Sequence, residues 1–218
     1  MSGNSLRRSG TDQRVARTRG RLAHALIRLG QTCDLDDIRV GDLVRTAGVG
    51  RSTFYAHYVD RDDFLGRSFE NMIALCDEAA RREGLTGEVL PVTHVVQHVA
   101  GNNSFARQAG RSRAMEVMLI AGERRLRRIA DTNLEGLTPH LPSEERRQAA
   151  AYLAGAFVGQ LRLWLQNDLR TSPQTLIATH RRLTAGVLTA LRTAPADLPD
   201  SGNCAGTVSP NGRSSDQG

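Results

Sequence analysis

Along most of this chain apolar residues return every third or fourth position. Nowhere does an apolar–polar alternation run between two hairpin turns, so the pattern predicts an all-α fold without a sheet. Leu22, Leu26 and Leu29 mark a first helix from about Asp12 to Leu29, stopped by Gly30. Asp36 or Asp37 can cap a short second helix carrying Val40, Leu43, Val44 and Ala47. Ala47-Gly48-Val49 interrupts that pattern, and a third short helix follows through Tyr58. Asp60-Arg61-Asp62-Asp63 opens a long fourth helix, with Leu65, Phe69, Met72, Ile73 and Cys76 among its apolar positions, ending near Gly84. Pro91 suits the start of a helix striped by Val92, Val95, Val96 and Val99, and residues 112–137 read as one or two more. Pro142-Ser143-Glu144-Glu145 and Ser172-Pro173 open the last two long helices. From Thr193 onward there is little to bury, so residues 193–218 are expected to form a disordered tail and residues 1–11 a flexible basic arm.

Composition narrows the class. Hydrophobic residues at 39% and charged residues at 24% of 218 lie in the globular range and exclude wholesale disorder. No apolar run reaches the ~18–20 residues of a membrane span, and no apolar segment follows the N-terminal charges as in a secretory signal. Cys33, Cys76 and Cys204 are odd in number and far apart, against both a disulfide framework and a paired-cysteine zinc site. The expectation is a cytoplasmic protein with reduced thiols, no cofactor and no membrane contact. All 29 basic residues are Arg, a bias that a G+C-rich genome explains without any function. Their placement says more: residues 1–28 carry seven Arg against Asp12 alone, which turns that end toward a polyanion, nucleic acid or acidic lipid.

Residues 38–58 have the outline of a helix-turn-helix, with Gly48 suited to the turn and Val49 to packing beneath it. Phe54 and Tyr58, four apart, share the face that would turn to the core. Opposite them lie the small Ser52 and Ala56, flanked by Arg51 and Tyr55 on one side and by Thr53 and His57 on the other. Small residues at a helix crest allow close approach to the major-groove floor, and flanking donors reach base edges and phosphates. Arg17, Arg19 and Arg21 could add phosphate contacts. The other reading of the same spacing is a core unit whose aromatics only fill space, since such units also occur in proteins that never touch DNA.

The stretch from Ile38 to Tyr58, with its core Ala47-Gly48-Val49, Thr53-Phe54-Tyr55 and His57-Tyr58, resembles the TetR family of bacterial transcriptional regulators. Asp60-Arg61-Asp62-Asp63-Phe64-Leu65 is similar to that family's entry into its fourth helix, so the resemblance covers roughly residues 12–66. Gly50, Ser52 and Ala56 depart from the residues usual at their places. The resemblance implies an N-terminal three-helix DNA-binding domain over 12–60 and a larger helical ligand-binding and dimerisation domain over 61–192. It implies DNA contacts from Arg51, Thr53 and Tyr55, joined by the crest residue Ser52, and phosphate contacts from His57 and Arg61. The partners it implies are a palindromic double-stranded operator, a second copy of the chain and an unidentified small-molecule effector.

For the larger domain, the stripes Phe157, Leu161, Trp164, Leu165 and Leu176, Leu183, Val187, Leu188 are the expected dimer interface, the other possibility being that they fill the monomer core. A pocket is expected among Cys76, His94, His98, Phe105, Met115, Met118, Tyr152 and Phe157, with an aliphatic, lipid-like or terpenoid occupant favoured by the scarcity of aromatics. His94 and His98 have the i, i+4 spacing of a shared metal, yet no third ligand is evident and no metal is expected. Arg124-Arg125 and Arg127-Arg128 read first as a solvated face and second as a seat for an anionic effector. No phosphate loop or nucleophile elbow suggests an enzyme and no catalytic residue is expected. The expected function is a ligand-responsive homodimeric repressor, the alternatives being an effector-independent regulator or a helical interaction protein.

Overall fold

The computed structural model describes residues 3–84 and 88–193, with side chains from residue 13 onward. Nine α-helices and one 3-10 turn occupy the described residues, with no strand among them. They are α1 (Gly3–Leu29), the 3-10 turn Leu35–Asp37, α2 (Val40–Ala47), α3 (Arg51–Tyr55) and α4 (Arg61–Arg82). Then follow α5 (Val92–Gly101), α6 (Asn103–Ala109), α7 (Arg113–Leu137), α8 (Ser143–Gln166) and α9 (Pro173–Thr193). No helix among the described residues is long and apolar enough to cross a membrane.

Three boundaries differ from those read in the sequence. α1 already begins at Gly3, so the backbone of residues 3–11 is helical where a flexible arm is expected: no proline interrupts the segment, and Leu and Arg favour helix. α6 is a separate short helix, because the chain turns at Asn102. α3 ends at Tyr55, since the Phe54 carbonyl accepts from both His57 N–H and Tyr58 N–H and closes the chain into a turn. Of the tail expected over 193–218, Thr193 ends α9 and residues 194–218 lie outside the described residues.

Local chemistry sets the remaining ends. Gly48 closes α2 at φ 59° and ψ 42°, left-handed values that cost a glycine nothing sterically. At α4, Asp60 Oδ1 accepts from Asp63 N–H at 2.8 Å while Asp63 Oδ2 accepts from Val59 N–H at 3.1 Å, satisfying two donors that a helix start otherwise leaves open.

α7 is the central beam, packed between α4 and α8, with α9 against α5 and α8. A Cβ added to Gly122 would lie 2.6 Å from the Phe69 ring, so the bare Cα is what lets α4 and α7 lie close at that level. The buried apolar side chains form one cluster from Leu22 of α1 to Ile177 of α9. Asp36, in the 3-10 turn, adds a polar tie: its carboxylate accepts from Arg113 N–H at 2.8 Å and Ala114 N–H at 2.9 Å, capping α7 from 77 residues away.

Candidate nucleic-acid interface and interior cavity

Phe54 is fully buried and makes ring contacts with Tyr58 and Phe64, at centroid distances of 5.3 and 5.8 Å. Burial pushes the Tyr58 hydroxyl pKa up. These aromatics therefore act as the keel of α3, and the helix turns its other side outward. Arg51, Ser52, Thr53 and Ala56 are exposed, and Tyr55 keeps 56% of its surface while its ring meets the Phe54 edge at 5.4 Å. His57 is half-buried beside this face, and Arg67 Nη1 donates to its carbonyl at 2.6 Å. The structure thus brings five of the six DNA-facing candidates to one rim.

Arg61 does not join them. Its Nη1 donates to the carbonyls of Asp36 at 2.7 Å, Ile38 at 3.3 Å and Leu35 at 3.5 Å, and its Nε faces Asp62 at 3.2 Å. The expectation of a phosphate contact is corrected to a clamp between the start of α4 and the α1–α2 connection, because the fold sets three carbonyls within its reach. Arg21 is likewise engaged, donating to the Gly48 carbonyl at 2.8 Å and holding the helix-turn-helix to α1, whereas Arg17 is exposed.

Between α1 and the body lies a cavity of about 910 Å³. Six of the expected pocket residues line it: Cys76, His94, His98, Phe105, Met115 and Met118. The other two do not. Tyr152 is 64% exposed on the outer side of α8, and Phe157 is wholly buried with its ring 5.1 Å from that of His180, so both are corrected: helical phase sends them to opposite sides of α8. Missed in the sequence were Ala16, Gly20, Ala23 and Ile27 of α1, which wall the cavity at spacings of four, three and four. Ala16, Gly20 and Ala23 form no apolar stripe, so the sequence pattern carried no signal for this wall. Burial holds the Cys76 thiol protonated, its pKa pushed up to about 11, and pushes the His98 pKa down because a charged imidazole would lose its hydration there. Among the described residues no group of three potential metal ligands forms, and His94 instead faces Glu83 through Nε2 at 3.2 Å.

The expected dimer stripe also needs correction. Phe157, Leu161, Trp164, Leu165 and Leu176 are buried within the monomer; Val187 and Leu188 are partly buried, and Leu183 alone is exposed. The apolar stripe points inward because α8 packs on α7 and α9 closes over it. The outward face of α8 is instead Tyr152, Ala156, Gly159 and Leu163, and that of α9 includes Ala178, Leu183, Ala185 and Gly186. Of the arginine run, Arg124 and Arg128 approach Glu70 at 4.0 and 3.6 Å, in keeping with a solvated face.

No protein-family model and no curated protein sequence matches the chain. Solved structures do. The dihydroxyacetone kinase operon activator DhaS superposes with a TM-score of 0.56 at 21% identity, over 79% of this chain and 96% of its own. A TetR transcriptional regulator from Rhodococcus sp. RHA1 gives 0.54 at 15% identity, over 82% and 99%. One from Streptococcus agalactiae gives 0.51 at 20% identity, over 80% and 97%. With nine α-helices and no strand among the described residues, the chain has the fold of the TetR-type transcriptional regulators.

Proposed function

We propose that this chain is a homodimeric, sequence-specific DNA-binding transcriptional regulator that a small hydrophobic molecule controls. The observation that carries the reading is the division around α3 between a buried aromatic keel, Phe54 of the helix and Tyr58 of the turn after it, and an exposed crest of Arg51, Ser52, Thr53 and Tyr55. A helix that only filled a core would not leave a tyrosine and an arginine in solvent on a rim of short side chains. In the proposed complex the crest enters the major groove, Arg51 and Tyr55 reach base edges or phosphates, and His57 stands at the groove wall.

A palindromic site needs two such helices related by a twofold axis. The outward faces of α8 and α9 support that role, because small and apolar residues there lie uncovered: Ala156, Gly159 and Leu163 on α8, and Ala178, Ala185 and Gly186 on α9. Binding in the cavity would favour one spacing of the two crests over another, a population shift rather than a chemical step. In the proposed scheme the ligand-free dimer occupies its operator, and the outcome is repression.

The test is selection of bound sequences from a random duplex pool by the purified protein at about 0.15 M salt. The expected result is a palindromic motif whose half-sites lie one helical turn, about 34–36 Å, apart. A folded protein that enriches no sequence would contradict the reading.

A further inference from the structure

The cavity's lining is uneven in charge, and that narrows what can occupy it. Among its lining residues Arg19 alone stays charged at every working pH, and none is an acid. The charge has no counterpart nearby. From Gln13 to Leu29 α1 contains no acidic residue. The acids of α4, which also lines the cavity, face other arginines: Asp63 meets Arg67, Glu70 meets Arg124 and Arg128, Asp77 meets Arg81 and Glu78 meets Arg82. Among the described residues Arg19 is therefore left without an ion-pair partner, and it borders a largely apolar space.

The cavity is also polarised along its length. Burial raises the Tyr58 pKa, and the charges of Arg19 and Arg67 partly offset that rise, so both guanidinium groups act on this hydroxyl. The Tyr58 ring packs on Phe64 at 5.1 Å and lies 5.9 Å from the Arg67 guanidinium carbon. Arg19 thus stands beside the first turns of α4, where Ser68 and Asn71 line the cavity and can add a hydroxyl and an amide donor. The far end is apolar. Phe105 lines it and abuts Gly30, where an added Cβ would lie 2.6 Å from its ring, about 16 Å beyond Arg19 by the rise of a helix. Met115, Leu161 and Leu165 continue that apolar lining.

We propose that the cavity binds an amphiphile with a single negative charge, whose carboxylate accepts from Arg19 while its aliphatic body lies among Phe105, Met115 and Leu165. One guanidinium balances one such charge, and its planar fork matches a carboxylate. A neutral head leaves Arg19 without a counter-charge, and a cationic head is repelled by it. The occupant joins α1, the first helix of the proposed DNA-binding unit, to the body of the molecule. Its effect on DNA rests on the regulator reading above; the binding itself does not.

Three probes with one tail and different heads test it: dodecanoate, dodecan-1-ol and dodecylammonium, titrated below micelle-forming concentrations into the full chain and followed by calorimetry. Dodecanoate is expected to bind at least about ten-fold more tightly than either of the others. Arg19 is exposed, so Arg19→Gln is expected to erase that preference without lowering the melting temperature. Arg28→Gln removes the same charge from α1 at a residue that does not line the cavity, and is expected to keep the preference. The alcohol or the ammonium binding as tightly as dodecanoate, no binding of dodecanoate, a preference that survives Arg19→Gln, or one lost equally in Arg28→Gln would overturn the proposal. Binding that depends on Arg19 but leaves affinity for the selected duplex unchanged upholds the cavity assignment and removes only the ligand-responsive part of the function.

Discussion

At the scale of single residues, the same side-chain type does opposite jobs a few positions apart. Arg51 stands in solvent, whereas Arg61 holds three carbonyls of the α1–α2 connection. Arg61→Ala is therefore expected to lower stability by roughly 1.5–3 kcal/mol, the range for hydrogen bonds to a charged group, as read from denaturant unfolding. A drop in DNA affinity with unchanged unfolding would return Arg61 to the interface. His180 shows a similar dependence on surroundings. It is buried, with Nδ1 2.8 Å from Gln160 Oε1 and Nε2 3.1 Å from Thr184 Oγ1, and burial lowers its pKa from 6.5 to about 4. Between those values the unfolded chain takes up a proton that the native chain refuses, so this contribution is full above pH 6.5 and falls as the pH drops toward 4. Unfolding midpoints at pH 7 and pH 5 should show wild type losing about 2 kcal/mol more than His180→Gln. Equal losses would contradict the assignment.

At the scale of elements, sequence patterns specify ends and faces, and tertiary packing decides what the faces meet. The breaks at Gly48, Asp60, Ser112 and Pro173 are legible because each follows from local backbone chemistry: a left-handed turn, side-chain caps and a ring that suits a first turn. The α8 stripe was equally legible as apolar, but periodicity cannot say whether a stripe meets its own chain or a second copy, and the structure turns Leu161, Trp164 and Leu165 inward. Six cavity residues could be named because polar or soft side chains interrupt apolar stripes. The α1 wall could not, because small residues in a helix leave no pattern of their own. Nor could the Asp36 cap on α7, a contact 77 residues distant in sequence. Asp36→Ala is expected to destabilise the fold by about 1 kcal/mol, as loss of a helix cap does, read as a lower unfolding midpoint. An unchanged midpoint would show that the cap adds nothing to the union of the two parts.

At the scale of the whole molecule, one continuous core joins the elements that carry the exposed α3 crest, the cavity that reaches α1 and the outward α8–α9 face. The last of these predicts assembly. Leu163, exposed on α8, should tolerate Glu as a monomer, and Leu163→Glu is expected to halve the mass measured by light scattering without unfolding the chain. Equal masses for variant and wild type would move the interface elsewhere.

In the proposed complex the α3 crest reads DNA while the keel beneath it only supports the crest. The direct measurement is the affinity of wild type and Tyr55→Ala for the selected duplex across a series of salt concentrations. Wild-type affinity should fall steeply and linearly on logarithmic axes as counterions return to the phosphates. Tyr55→Ala should bind more weakly by about 1–3 kcal/mol with an unchanged melting temperature. Wild-type affinity that ignores salt, or a Tyr55→Ala variant that binds the selected duplex like wild type, would contradict the account.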